Sequence, residues 1–326
     1  MRYMIYAIAL VLAVVAAAYF LGPRAVADQT VRFDAAAIGP DPEAYLVARE
    51  AAYSNIREGL AKEIVWADPE RREPTPVSIV YLHGFSASKG EVRPLPDLIA
   101  ADLGANLFYT RLTGHGQDGA AMAEATAEEW IADTAEALAI GRAIGERVVV
   151  IATSTGATLA SWAATRPELA ENVAAMVLIA PNFRIAGAGA DLLAAPWGVQ
   201  IARLVVGPER GFTPATELQA HLWTTNYSTA ALTPLAATVA MTAASHIEDI
   251  HIPALFVFSD EDKVVDPRAT HAVIARWGAQ TRMRLVTDAE DPNRHVIAGD
   301  AFSPSTTRRL AGEAVEWLRE VLVLTD

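Results

Sequence analysis

No cysteine occurs among the 326 residues. That absence excludes disulfides, thiol nucleophiles, zinc–thiolate sites and a lipidated N-terminal cysteine. Positive charge is scarce too: 26 Lys and Arg stand against 39 Asp and Glu, a formal net charge of −13. No basic stripe or RNA-binding motif offsets that deficit, so nucleic acid is not an expected partner. Internal repeats and low-complexity tracts are missing as well. No paired histidine or carboxylate spacing marks a metal site, and the reading requires neither a metal nor a cofactor. What is abundant is apolar: 52% of the residues are hydrophobic, enough for one large core with an insertion.

The longest apolar run opens the chain. Tyr3 to Leu21 is 19 residues without a charge, followed by Gly22-Pro23-Arg24. As a helix it spans about 28 Å, close to the hydrocarbon core of a bilayer. Cleavable signal peptides have shorter apolar regions, about 7–15 residues. Ala25-Val26-Ala27 before Asp28 nevertheless resembles a small-residue cleavage site. Residues 1–27 are therefore expected to be a membrane anchor or a signal peptide, and 28–40 a linker. The retained anchor is the leading reading. With Arg2 and the α-amino group held inside, the domain stands on the outer, periplasmic or extracellular, side. Signal cleavage would give a secreted chain instead.

From residue 41 to 326, strand-like and helix-like segments alternate. Strands are expected at Leu60–Trp66, Val77–Leu82, Asn106–Arg111, the four β-branched residues Val148 to Ile151, Val173–Ile179, Ala254–Phe258 and Met283–Val286. Helices are expected at Pro96–Leu103, Thr126–Ile144, Pro267–Trp277 and Thr307–Val323. Thr126 would cap the long one, with Glu128 and Glu129 in its first turn. This pattern predicts an α/β fold, a mostly parallel sheet with helices on both faces. Residues 183–252 break the alternation between two expected core strands. They read as an inserted helical cap, with extra helices packed on one edge as the alternative.

The chemistry begins at Ala152-Thr153-Ser154-Thr155-Gly156, where a β-branched strand meets a helix-prone run. A serine on a sharp strand-to-helix turn is lifted above the carboxyl ends of the strands. The helix N-terminus beside it offers N–H groups to developing negative charge. The same residues also suit an ordinary turn with an N-capping serine. A serine nucleophile needs a base, and the base an orienting acid. Only His271 and His295 follow the penultimate expected strand. His271 falls within a helix and faces solvent; His295 lies in the loop after the last strand and is the favoured base. Asp260, Glu261, Asp262 and Asp266 compete as the acid after Ala254–Phe258. The turn favours Asp262, with Asp260 the main rival. An oxyanion hole would use the N–H groups of Thr155 and Phe85, the latter just after the strand ending in Leu82-His83-Gly84. His83 reads as structural.

These pieces resemble an α/β-hydrolase of the branch that holds monoacylglycerol lipases and serine-aminopeptidase-like hydrolases. The matching stretches are His83-Gly84-Phe85, Arg111-Leu112-Thr113-Gly114-His115-Gly116, Ala152 to Gly156, Ser259-Asp260-Glu261-Asp262 and His295-Val296, in family order. The resemblance implies Ser154 as nucleophile, Asp262 as acid, His295 as base and the Phe85 and Thr155 amides as oxyanion donors. It makes Gly114-His115-Gly116 a structural turn. Ala152-Thr153 departs from the common Gly-His pair, so relatives' substrate preferences do not carry over.

The leading expectation is a serine hydrolase that cleaves carboxylic esters through an acyl-enzyme. An apolar cap and a membrane segment point to a small lipophilic acyl ester, monoglyceride-like or lysophospholipid-like. Trp197, Trp223 and Tyr227 are candidate acyl-binding residues. An aminopeptidase or amidase is the alternative, and Glu217 could then meet the substrate amine. A non-catalytic, membrane-anchored binding protein is the remaining reading.

Overall fold

The computed structural model describes residues 2–187 and 189–323. Helix α1 (Arg2–Leu21) leads the chain, and α2 (Pro42–Glu50) follows after an extended stretch. Strands β1 (Glu63–Val65), β2 (Thr75–Leu82) and β3 (Asn106–Tyr109) come next, with α3 (Leu95–Leu103) between β2 and β3. Then come α4 (Gly119–Glu124), α5 (Ala127–Ile144), β4 (Gly145–Thr153), α6 (Thr155–Ala164), α7 (Pro167–Ala170) and β5 (Val173–Ile179). A helical segment with a small two-stranded antiparallel sheet intervenes: α8 (Gly198–Val206), β6 (Glu209–Gly211), α9 (Glu217–Leu222), β7 (Asn226–Ser228) and α10 (Leu232–Ala243). The chain closes with β8 (Ala254–Phe258), α11 (Pro267–Arg276), β9 (Thr281–Leu285) and α12 (Pro304–Leu322).

Seven strands form one sheet in the order β1-β3-β2-β4-β5-β8-β9. All neighbours are parallel except β1, which runs antiparallel to β3. This is the α/β-hydrolase architecture. Side chains alternate across a strand, so one strand feeds two cores. Val80, Leu82, Val148, Val150, Met176, Leu178 and Phe256 pack under α5, α6 and α10. Ile79, Tyr81, Val149, Ile151, Val177 and Val257 pack under α3 and α12. Burial on both faces is why these strands read as continuous apolar runs.

Local chemistry sets the element ends. Thr126 and Glu129 form a capping box at α5, each side chain bonding the other's backbone N–H. Helix α5 runs straight into β4 through Gly145, where a Cβ would lie 2.6 Å from the Ser78 backbone nitrogen. Residues 180–253 join β5 to β8, which are sheet neighbours. Within that insertion α10 belongs to the helical layer: Thr242 donates its hydroxyl to Thr158 O of α6. Residues 219–227 instead cover the loops at the carboxyl edge. There Thr224 N donates to Ser86 O at 2.7 Å and Gln219 Nε2 to Ala301 O at 3.0 Å.

The stretch read as a linker, together with the last residues of the segment before it, lies on the domain. Ala25, Ala27 and Ile38 are buried. Gln29 Oε1 accepts from Trp162 Nε1 at 2.9 Å, and Asp28 N donates to Glu128 at 2.7 Å. Helix α1 itself has no buried residue and is long and apolar enough to cross a membrane.

Candidate active site

Strand β4 ends at Thr153 and α6 begins at Thr155, so Ser154 alone makes the turn. Its backbone adopts φ 51°, ψ −115°, a conformation that costs a non-glycine residue of order 1–3 kcal/mol. Backbone bonds to β5, the loop after it and α6 hold it there. Ser154 N donates to Ile179 O at 2.9 Å, and Ser154 O accepts from Thr158 N and Asn182 N, each at 3.1 Å. Gly156 allows the tight crossing, because a Cβ there would lie 2.2 Å from Leu82 O. Ala152 is buried within β4, in register with Leu82 and Leu178.

The structure brings Ser154, His295 and Asp262 together. His295 Nε2 lies 3.1 Å from Ser154 Oγ, and Nδ1 lies 2.8 Å from Asp262 Oδ2. An Nδ1–H donated to Asp262 leaves Nε2 to accept the serine hydroxyl proton. Asp262 Oδ1 accepts the N–H groups of Val264 and Val265 at 2.8 and 2.9 Å, which fixes the carboxylate from behind. Burial disfavours a charge on His295. The carboxylate of Asp262, aided by Glu91 and Asp291, outweighs it and raises the imidazole pKa above its usual value. The competing residues lie elsewhere. Asp260 Oδ1 pairs with His271 Nε2 at 2.8 Å, both exposed. Asp266 caps α11 and binds Arg268, and Glu261 is exposed beside Arg294.

The second half of the site comes from the loop after β2. Gly84 N donates to Glu91 Oε2 at 2.8 Å. A Cβ on Gly84 would lie 2.7 Å from Glu91 Oε1 and 3.1 Å from Ser154 Cβ, so the backbone passes between them. Phe85 N comes next in the chain. Thr155 N opens α6 and so has no intrahelical acceptor. Phe85 and Thr155 thus each follow directly on a residue of the elbow crossing, Gly84 and Ser154. His83 supports this loop: its Nδ1 lies 2.8 Å from Gly84 O, and its Nε2 accepts Leu112 N at 3.1 Å. Burial pushes its pKa down to about 4, so the ring stays neutral. His115 packs 5.0 Å from it and is held well below the usual imidazole value by burial, then by His83.

The sequence profile of serine aminopeptidase, S33, matches residues 74–290, which hold both the elbow and Asp262. The chain belongs to the serine aminopeptidase (S33) family. It is 29% identical over 203 residues to a thermostable monoacylglycerol lipase from Bacillus sp. (strain H-257), covering 62% of this chain and 76% of that protein. A solved structure from work on LipS and LipT, two metagenome-derived lipolytic enzymes, superimposes with a TM-score of 0.65 at 20% identity, over 81% of this chain and 99% of its own. The Paleococcus ferrophilus monoacylglycerol lipase gives 0.57 at 15% identity, over 80% and 99%. A monoglyceride lipase variant from Saccharomyces cerevisiae, in complex with a substrate analogue, gives 0.57 at 11%, over 80% and 91%. The chain is thus a hydrolase with lipase- and esterase-like relatives.

Two residues of this S33 hydrolase site escape sequence reading. Asp291 accepts three backbone N–H groups, those of Asn293, His295 and Val296, at 2.9–3.0 Å, and so shapes the histidine loop. Glu91 is buried under the elbow, where burial pushes its pKa up to about 7 against the opposing pull of the Gly84 N–H, His295 and the Tyr81 hydroxyl. Tyr81 OH lies 3.1 Å from Glu91 and 3.1 Å from Thr153 Oγ1. Thr153, half of the Ala-Thr departure, thus joins a buried chain of polar groups. The acid in the loop after β2 was the only trace of it in the sequence.

The three candidate acyl-binding aromatics separate. Tyr227 stacks edge-on against Phe85 at 5.3 Å. Trp223 is buried edge-on against Phe302 at 5.1 Å, in a cluster with Val296, the neighbour of His295. Trp197 turns instead to the N-terminal helix, donating Nε1–H to Ala18 O at 2.8 Å. Glu217 is exposed in the first turn of α9, so its carboxylate is solvated rather than held in a pocket for an amine.

Proposed function

We propose that the chain is a serine hydrolase of carboxylic esters, acting on a lipophilic acyl ester such as a monoglyceride or lysophospholipid. The observation that carries this reading is the hydrogen-bonded line Ser154 Oγ, His295, Asp262, all three buried. In the proposed cycle Ser154 Oγ attacks the ester carbon while its proton passes to His295 Nε2. The Phe85 and Thr155 N–H groups bind the oxyanion. Collapse returns that proton to the leaving alcohol and leaves an acyl-Ser154. Water, deprotonated by His295, then releases the carboxylic acid and restores the serine. Asp262 stabilises the imidazolium throughout. Residues 1–27 supply the membrane anchor, with α1 as the span and Ala25 and Ala27 already packed on the domain. Residues 41–326 form the hydrolase domain, with 183–252 as its cap.

The test is covalent labelling with a fluorophosphonate and turnover of p-nitrophenyl esters by wild type and Ser154→Ala. The variant is expected to lose labelling and about a million-fold in turnover, with its melting temperature retained. Near wild-type turnover in the folded variant would overturn the mechanism. Faster cleavage of aminoacyl amides than of esters would redirect the substrate class.

A further inference from the structure

Helix α8 leaves an apolar surface in water. Leu204 is 86% exposed and Val205 76%, with Ile201 and Val206 also exposed and Leu192 just before them. Arg203 is the only charged residue of the helix. Soluble monomers rarely leave contiguous aliphatic side chains uncovered, so such a patch marks an interaction surface. Its position says which one. Trp197, the residue that opens α8, donates Nε1–H to Ala18 O and its backbone N–H to Pro23 O, each at 2.8 Å. Its indole lies on Gly22, where a Cβ would come 2.2 Å from Nε1. The exposed helix therefore begins where α1, apolar and uncovered along its whole length, ends.

We propose that α8 lies in the membrane interface beside the exit of α1, its Ile201–Val206 face in contact with lipid. This rests on the reading of α1 as a retained anchor. Tryptophan at the junction and arginines on its flanks, Arg24 and Arg203, are the side chains that sit at headgroup level. The same insertion carries Tyr227 onto Phe85, so the lipid-facing helix and the wall of the site belong to one segment. A lipid occupant is favoured over a second copy of the chain because the patch continues a surface that is already suited to a bilayer.

The absence of cysteine makes the test direct. Full-length chains carrying Leu204→Cys or, on α12, Glu316→Cys are labelled with an environment-sensitive fluorophore. They are then reconstituted into phosphatidylcholine vesicles, with or without nitroxide on the acyl chains. The label at 204 is expected to shift to the blue and to be quenched by the nitroxide several-fold more than the label at 316. Protein that floats with the vesicles but shows equal quenching at both positions overturns the proposal and leaves the anchor intact. Oxidative cross-linking of unlabelled Leu204→Cys into dimers, without lipid quenching at 204, overturns it in favour of a second copy. Failure to float with the vesicles refutes the anchor and this inference with it.

Discussion

Ser154, Asp262 and His295 stand in a line whose geometry makes unequal demands on neighbouring residues. Asp262 holds His295 through Nδ1, whereas Asp260 spends its carboxylate on exposed His271. Asp262→Asn is therefore expected to lower kcat about ten-thousand-fold, as when a triad acid loses its charge. Asp260→Asn and His271→Ala should stay close to wild type. Ester turnover by the three variants checks this, and loss confined to Asp260→Asn would reverse the assignment. Glu91 makes a different demand. Its folded pKa of about 7 stands above the ordinary 4.5, so between those values the unfolded chain sheds a proton that the folded one keeps. Stability then falls as pH rises through that window. Glu91→Gln keeps an acceptor for the Gly84 N–H but cannot titrate. Its urea midpoint should exceed wild type increasingly from pH 4.5 to 7, and parallel curves would refute the burial argument. The same substitution removes a charge that raises the pKa of His295. Turnover needs the neutral imidazole, so the acidic limb of kcat/KM should move to lower pH in Glu91→Gln.

Elements meet at backbone-to-backbone distances near the elbow, and Gly156 is where they are closest. Gly156→Ala drives a methyl against Leu82 O, which belongs to β2 and cannot swing aside. The expected loss is about 1–3 kcal/mol, the range for overpacked cores, read as a fall in the urea midpoint. Unchanged stability would mean that α6 can slide on the sheet. The strands around this crossing also show what a sequence discloses. Val173–Ile179 and Ala254–Phe258 can be read residue for residue, because burial on both faces gives an unbroken apolar run. Strand β9 is legible only from Met283. It is an edge strand whose Arg282 and Arg284 pair with Glu320 and Glu313 of α12, so charge interrupts its pattern. Strand β1 is shorter than the run Leu60–Trp66, because Leu60 turns into a separate cluster with Leu222 and Trp223. Chain order and strand ends suffice to nominate Ser154, Asp262 and His295. Glu91 and Asp291 escape because their partners are N–H groups gathered only when loops close. Trp197 is named in the sequence, but its place against α1 is not legible there, because its partner, Ala18, lies 179 residues away.

At the scale of the whole molecule, the N-terminal region divides into an uncovered helix and a strap that is part of the domain. Truncation should expose that division. A chain starting at Gly22 is expected to be soluble, active and stable. One starting at Asp41 loses the cover of Ala25, Ala27 and Ile38 and strands the Trp162 indole N–H that Gln29 accepts. Its melting temperature should fall by at least about 2–4 °C, the shift per 1 kcal/mol in a domain of roughly this size. Equal melting temperatures would make 22–40 a passive tether. Helix α12 carries a consequence for when the site becomes reactive. The loop that shapes His295 is tied to the start of α12: Ser303 Oγ accepts from Glu290 N and Asp291 N and donates to Val296 O, and Thr306 Oγ1 donates to Ile297 O. The residue that would deprotonate the serine is therefore held by the first turn of a helix that packs on the opposite side of the sheet from α6. A chain in which α12 has not docked holds Ser154 without a positioned base, so a half-folded domain is no indiscriminate esterase: reactivity arrives with the finished fold.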